Sequence, residues 1–406
     1  MAASVAASTD PTTGGDSLDV YAVQSPVESE FTPAGKKRIL IINTRSKWSG
    51  DEETTCASSS AVAPVPVGLF PYPSHHYRHE AETHIKESFS RRLCELDDLN
   101  NTSLPEFRVC HLNHLSHSAD SQSDTWAELA SLIEDEYENY CGFVVQHGKD
   151  TMVYTATALS FMLENISKPV IFTGSVIPGI YVQSDLQRNL VLALQFAQNE
   201  DLCDVCIVFG EKLFRANRTF KKSSMDLQPF ASPNMPPLAT LRGSRVVMEH
   251  RLLLNAPRGR LRVHLDMSAL VLTIKVVPGM SFSSAMDVVA STKARAIVIC
   301  GFGSGNIPVR RGMFLTMVAT AVRRGVLVVV CTQNRYGSVD LGDYDTARQL
   351  KAVGAIGSGD MTIEATIVKL KFLFGRGYDS TEVRSLLLTS LRGETSHGAL
   401  QTSSKI

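Results

Sequence analysis

The sequence predicts an α/β protein of two domains: a larger N-terminal parallel sheet covered by helices, and a smaller C-terminal α/β unit. Three observations predict it. At 406 residues the chain exceeds one typical domain. From residue 125 onward, short apolar runs alternate with segments of helical apolar period, the pattern of a parallel sheet with crossover helices. The alternation pauses at the Pro-rich "SPNMPPLA" (232–239) and then resumes, which marks a second unit.

The ordered chain is expected to begin at "KKRILIIN" (36–43), a short apolar run suited to a strand buried on both faces. The polar "TRSKWSGDEETTCASSS" (44–60) and the Pro-rich stretch to residue 73 form a long loop, a length that usually serves function or stays disordered. A helix is expected over about 79–97, followed by "LNNTSLPE" as a surface excursion. "WAELASLIEDEYENY" places Trp126, Leu129, Leu132, Ile133 and Tyr137 on one helical face, and "CGFVVQ" reads as a strand. "DTMVYTATALSFMLEN" is a helix, "KPVIFTG" a strand, "SDLQRNLVLALQFAQN" a helix and "DVCIVFG" a strand. In the second unit "LVLTIKVVPG", "ARAIVICGFG" and "VLVVVCTQ" read as its sheet. "RGMFLTMVATAVRRG", 345–353, "DMTIEATIVKLKFLFG" and "STEVRSLLLTSLRG" are helical. The expected boundaries are a tail at 1–35, domains at 36–240 and 265–395, a linker at 241–264 and a second tail at 396–406.

Composition narrows the function. A formal net charge of −1 gives no electrostatic case for nucleic acid or a membrane surface. The longest strongly apolar run, "VLVVVC" at 326–331, is far short of a membrane span. The first 35 residues hold no Lys or Arg and five acids, unlike a secretory signal or an Arg-rich transit peptide, so a cytoplasmic protein with a disordered tail is expected. Cys203 and Cys206 form the one C-x-x-C; no second pair stands at zinc-like spacing, and reduced core thiols are the expected reading. "GFGSGN" (301–306) lacks the third glycine of a dinucleotide loop, so no cofactor is expected there.

In open parallel sheets ligands sit outside the carboxyl ends of the strands, which directs attention to 44–50, 147–151 and 301–308. At the second of these stands "HGKDTM". With "YTATALSFMLENISKPVIFTGSVIP", "FRANRTFKKSS", "FASPNMPPLA", "FGSGNIP", "GAIGSGDMTIEATIVKL" and "SLRGE", it resembles the L-asparaginase family, the bacterial type I and cytosolic kind, in order along residues 36–395. The resemblance implies the two-domain asparaginase fold, hydrolysis of L-asparagine to L-aspartate and ammonia, no cofactor or metal, and a homodimer or homotetramer with the site near a subunit boundary.

Family members carry H-G-T-D-T-M here and a T-G-G-T-I turn after the first strand. Their two threonines do the chemistry, and each hydroxyl needs a neighbour to take its proton. In this chain "NTRSKWSG" stands at the first turn: Thr44 remains, Arg45 and Ser46 replace the glycines, and Lys47 occupies the nucleophile position. Lys149 occupies the second. Asp150, which by the resemblance holds the substrate amino group, and Lys221, the proton shuttle, are present. Ser118 matches the residue that binds the α-carboxylate, with Ala119 at the next binding position. The family's mobile-loop tyrosine has no counterpart between Tyr21 and Tyr72. A lysine amine that attacked an amide would form another stable amide, so turnover would stop. The expectation is a family member with lost or strongly reduced amidohydrolase activity and a retained pocket for a small amino acid or anion, with Lys47, Lys149 and Lys221 converging on Asp150. An asparaginase using a relocated hydroxyl (Ser46, Ser49, Thr54, Thr55 or Thr151) and a binding or scaffolding protein are the alternatives.

Overall fold

The computed structural model describes residues 20–21, 38–45, 93, 96, 99, 101, 103–116, 118–179, 181–309, 312–342 and 345–396. Lys47, most of the 44–60 loop and most of the helix expected at 79–97 lie outside them.

The N-terminal sheet has nine strands: β1 (Val20–Tyr21), β2 (Arg38–Arg45), β3 (Glu106–Ser116), β4 (Gly142–Gln146), β5 (Val170–Thr173), β6 (Val205–Phe209), β7 (Lys212–Arg215), β8 (Ala239–Arg242) and β9 (Arg245–Met248). Their order is β1-β3-β2-β4-β5-β6-β7-β8-β9. The centre from β3 to β6 is parallel and both margins are antiparallel. Helices α1 (Ser123–Asp135) and α2 (Met152–Met162) cover one face and α3 (Leu186–Ala197) the other. "RILIIN" is apolar without alternation for this reason: Ile39 and Ile41 pack toward α3, while Leu40 and Ile42 pack toward α1 and α2.

The smaller sheet is fully parallel, with strands β10 (Val271–Lys275), β11 (Ala296–Gly301), β12 (Leu327–Thr332) and β13 (Ile356–Gly357) in that order. Helices α4 (Phe282–Ser291), α5 (Met313–Arg323) and α6 (Asp345–Ala352) pack in the cluster on one face. Helix α7 (Ile363–Gly375) covers the other and is followed by α8 (Ser380–Leu387). Because α7 also packs on α2, with Phe161 and Phe372 stacked at 5.6 Å, one apolar cluster runs through both domains.

Four expectations need correction. The segment at 106–116 is an eleven-residue central strand that sequence reading passed over; its "HLNHL" polar interruptions hide a parallel strand. Within the expected surface excursion Leu99 and Leu104 are buried in the α3-side core. Residues 241–248, expected as part of a linker with short strands, do form short strands, but these complete the β8–β9 hairpin and belong to the large sheet, because β7 offers its free edge to them. In the expected disordered tail, Val20 and Tyr21 pair with Cys110 and Val109 on the outer edge of β3.

The domains are joined by a buried charge network. The Arg218 guanidinium donates to Asp360 (2.9 Å), to the Glu394 and Asn234 carbonyls and to Ser396 Oγ. Burial works against ionising Asp360, but hydrogen bonds from Arg218, Thr395 and Ser396 outweigh it and hold the carboxyl well below the usual range. A carboxylate whose folded pKa is depressed contributes stability above its unfolded pKa of about 3.9 and loses that contribution as pH falls through the folded value. Thermal melts of the native protein should therefore fall steeply below about pH 4. Asp360→Asn should start lower at pH 7 and flatten that acid limb; parallel melting curves for the two proteins would refute this role for Asp360.

Candidate active site

The strand order reverses at β2 and β4: the chain leaves β2 toward β3 on one side and leaves β4 toward β5 on the other. Such a switch point opens a crevice beyond the carboxyl ends of the strands. Thr44 Oγ1 closes its floor by donating to the Gln146 carbonyl at 3.1 Å. The turn of "HGKD" follows immediately. His147 is buried against Phe172, its backbone N–H donating to the Thr173 carbonyl and its Nδ1 to the Gly148 carbonyl (2.8 Å).

The crevice brings together most of the residues singled out in the sequence. Lys221, on a two-residue strand (Phe220–Lys221) after β7, donates its ammonium to the Asp150 carboxylate, with the lysine side chain 22% exposed and the aspartate 52%. Asp150 stands just before α2, where the helix dipole favours a negative charge. Lys149 reaches a different set of acceptors: its Nζ donates to the Val176 carbonyl (3.4 Å) and the Ser224 carbonyl (3.3 Å). The cost of a cation near a helix start, about 0.3–1 kcal/mol, is thus offset by carbonyl dipoles from two loops. Lys221 thus makes an ion pair with Asp150, while Lys149 also ties two loops. Asp185 holds the first of those loops by accepting from the Val176 and Ile177 N–H groups, and Asn189 adds a bond to the Gly174 carbonyl. Ser118 lies buried at the Gly148 turn and Ala119 is exposed beside it.

Two features were missed by sequence reasoning. His111, Asn43, Gln146 and Thr173 are register neighbours on four adjacent strands, and all are buried. Asn43 Nδ2 meets His111 Nδ1 at 3.1 Å, Thr173 Oγ1 donates to the Val208 carbonyl, and Gln146 Oε1 has no partner among the described residues. Their signal was present in the sequence: a polar residue ends each of the apolar runs "ILIIN", "FVVQ" and "VIFT". The second is a pocket between the domains, lined by Phe220, Asn234, Thr332, Arg335, Thr362 and Glu364. Arg335 lies 4.8 Å from the Phe220 ring centroid, and burial pushes the Glu364 carboxyl up. No group of acidic, His and Cys side chains suited to a metal ion occurs among the described residues.

Comparison with known families places the chain as a whole. Residues 75–254 match the N-terminal asparaginase domain, and residues 270–387 match the glutaminase/asparaginase C-terminal domain. The chain belongs to the asparaginase family. It is 37% identical to L-asparaginase 1 of Escherichia coli over 318 residues, 76% of this chain and 91% of that protein. It is 36% identical to the 60 kDa lysophospholipase of Mus musculus over 290 residues, 71% of this chain and 51% of that protein, so it spans about half of that relative. Among solved structures, L-asparaginase I from Vibrio cholerae superimposes with a TM-score of 0.73 at 31% identity, covering 89% of this chain and 99% of that one. The two-domain asparaginase architecture is thereby established, with a mixed rather than wholly parallel large sheet. Lys149, Asp150, Lys221 and Ser118 fall inside the N-terminal match, and Lys47 lies before it.

Proposed function

We propose that this asparaginase-family protein has lost, or strongly reduced, amidohydrolase activity and keeps the crevice as a pocket for a small amino acid or carboxylate anion. The observation that carries the proposal is Lys149. It stands where the resemblance places a catalytic threonine, and its ammonium is engaged with the Val176 and Ser224 carbonyls. An amine that donates to two carbonyls is not a hydroxyl nucleophile and is not placed to serve one as its base. Lys47, at the other threonine position, removes the second hydroxyl. Thr151 is a poor substitute, because its own hydroxyl donates to the Ser118 carbonyl. In this reading Asp150 receives a ligand amino group, Ser118 and the Ala119 turn receive its α-carboxylate, and Lys221 contributes a cation at the distal end. The protein acts in the cytoplasm as a homodimer or homotetramer, without cofactor, nucleic acid or membrane. No helix among the described residues is long and apolar enough to cross a membrane.

Purified protein should release ammonia from L-asparagine at no more than a trace rate. Robust turnover would overturn the proposal in favour of an asparaginase with a relocated hydroxyl. A melting experiment tests the retained pocket. With Lys47 and Lys149 standing where the resemblance places two neutral hydroxyls, the pocket should favour a dianion over a neutral amide, so L-aspartate should stabilise the protein more than L-asparagine. A ligand bound only by the native state stabilises it by about 2.7 kcal/mol at 100 times its dissociation constant. The difference should narrow at high salt, since screening weakens a partly open site. Equal shifts with both amino acids, or no shift with either, would refute the anion preference.

A further inference from the structure

We infer that Thr151 is a positioning residue: its hydroxyl holds the Ser118 turn in the geometry that binds a ligand carboxylate, at the expense of capping its own helix. The inference rests on the proposed reading of Ser118 as the carboxylate group and adds the residue through which that group is placed. Thr151 is the N-cap residue of α2, where a threonine hydroxyl ordinarily accepts from a backbone N–H two or three residues on. Here it makes no cap bond and instead donates to the Ser118 carbonyl at 2.5 Å. That carbonyl also accepts from the Ser121 N–H at 3.2 Å, so both ends of the short turn meet at one oxygen.

Two further contacts show that the docking is built rather than incidental. A β-carbon at Gly148 would lie 2.4 Å from Ser118 Cβ and 2.5 Å from its Oγ, so the absence of a side chain there lets the serine sit against the "HGKD" turn. One helical turn beyond Thr151, Thr155 Oγ1 meets Ser121 Oγ at 3.3 Å and accepts from Trp126 Nε1 at 3.1 Å. The Ser118 side chain is left nearly buried at the crevice, and its hydroxyl has no hydrogen-bond partner among the described residues. A nearly buried hydroxyl held open at a switch-point crevice is suited to donate to an anionic oxygen, and its aim depends on the carbonyl that Thr151 grips.

The test is L-aspartate binding by calorimetry to the full chain and its variants. Thr151→Val keeps the shape and removes the donor, and should weaken binding about tenfold, the worth of one hydrogen bond to a charged group. Thr151→Ser restores the donor and should bind within about twofold of the native protein. Ser118→Ala should weaken binding as Thr151→Val does, and the double variant should be no weaker than Ser118→Ala alone, because Thr151 acts through Ser118. Gly148→Ala, which leaves Thr151 intact but displaces Ser118, should reproduce the loss and serves if Thr151→Val does not fold. Native affinity in Thr151→Val, failure of Thr151→Ser to rescue, or losses that multiply in the double variant would overturn the inference while Ser118→Ala still weakens binding. Unchanged affinity in Ser118→Ala, or no binding by the native protein, would instead overturn the reading on which it rests.

Discussion

Ammonia release from L-asparagine is expected to appear when Arg45→Gly, Ser46→Gly, Lys47→Thr and Lys149→Thr are combined, and to stay at the trace level in Lys149→Thr alone. The reason is that a nucleophile and its activating groups work as a unit. Removing one member of such a unit costs roughly 10⁴–10⁶ in rate, and removing the rest adds little. A single reinstated hydroxyl therefore recovers little, while the fourfold change rebuilds both the turn and the two hydroxyls. The glycines belong in the combination because the resemblance implies a T-G-G-T-I turn here, and glycine is the default residue where a chain must turn tightly. Asp150 and Lys221 are already paired, and no change is made to them. Lys149→Thr also removes the bonds to the Val176 and Ser224 carbonyls, and the two loops should become more open to amide exchange. A coupled ammonia assay on the three proteins decides the matter. Strong activity in Lys149→Thr alone would show that only one threonine position had limited the chemistry.

Lys369→Met is expected to destabilise the protein by about 3–5 kcal/mol, the cost of leaving one partner of a buried ion pair uncompensated. Lys369 and Glu394 are both fully buried, and each hydrogen-bonding position of the ammonium is filled. Nζ donates to the Leu387 carbonyl (2.7 Å), the Thr389 carbonyl (2.6 Å) and the Glu394 carboxylate (2.5 Å). Burial opposes charge on Glu394, but the adjacent ammonium and the Leu391 and Arg392 N–H groups prevail and hold its carboxyl below the usual range. A methionine in place of Lys369 would fill the space and supply no donor, stranding two carbonyls and a carboxylate in the apolar layer between the domains. Urea denaturation checks the size of the loss. Adding Glu394→Gln to Lys369→Met should return part of it, since the uncompensated charge is gone. A loss below about 1 kcal/mol in the single variant would show that water reaches the pair.

The C-terminal segment is held in place by this pair and by Arg218 with Asp360. Both lie beside α7, the helix that packs between the domains. The site side of the molecule depends on shorter-range devices: the N-cap threonine that grips Ser118, and Asp185 under the loop that Lys149 reaches.

Sequence by itself determined the class of fold, the order of most elements and the family. Those depend on local periodicity and on motifs carried whole, and in "RILIIN", "GFVVQ" and "LVVVC" the absence of alternation reports burial on both faces of a parallel sheet. It also singled out Ser118, Lys149, Asp150 and Lys221, since all follow strand ends or match family motifs. Tertiary structure alone decided the partners. Lys369 sits in "TIVKLKFLFG" like any helical lysine, and only the return of residues 387–394 buries it and supplies its acceptors. Two acceptors of Lys149, the carbonyls of Val176 and Ser224, lie 27 and 75 residues further along the chain. The strand at 106–116 and the β8–β9 hairpin were hidden for a related reason: their pairing is stabilised by neighbours distant in the chain, and a polar residue within a run erases the local signal. Periodicity records which face of an element is covered; a hydrogen bond or ion pair depends on ångström-scale placement of groups far apart in sequence, which only the packed chain supplies.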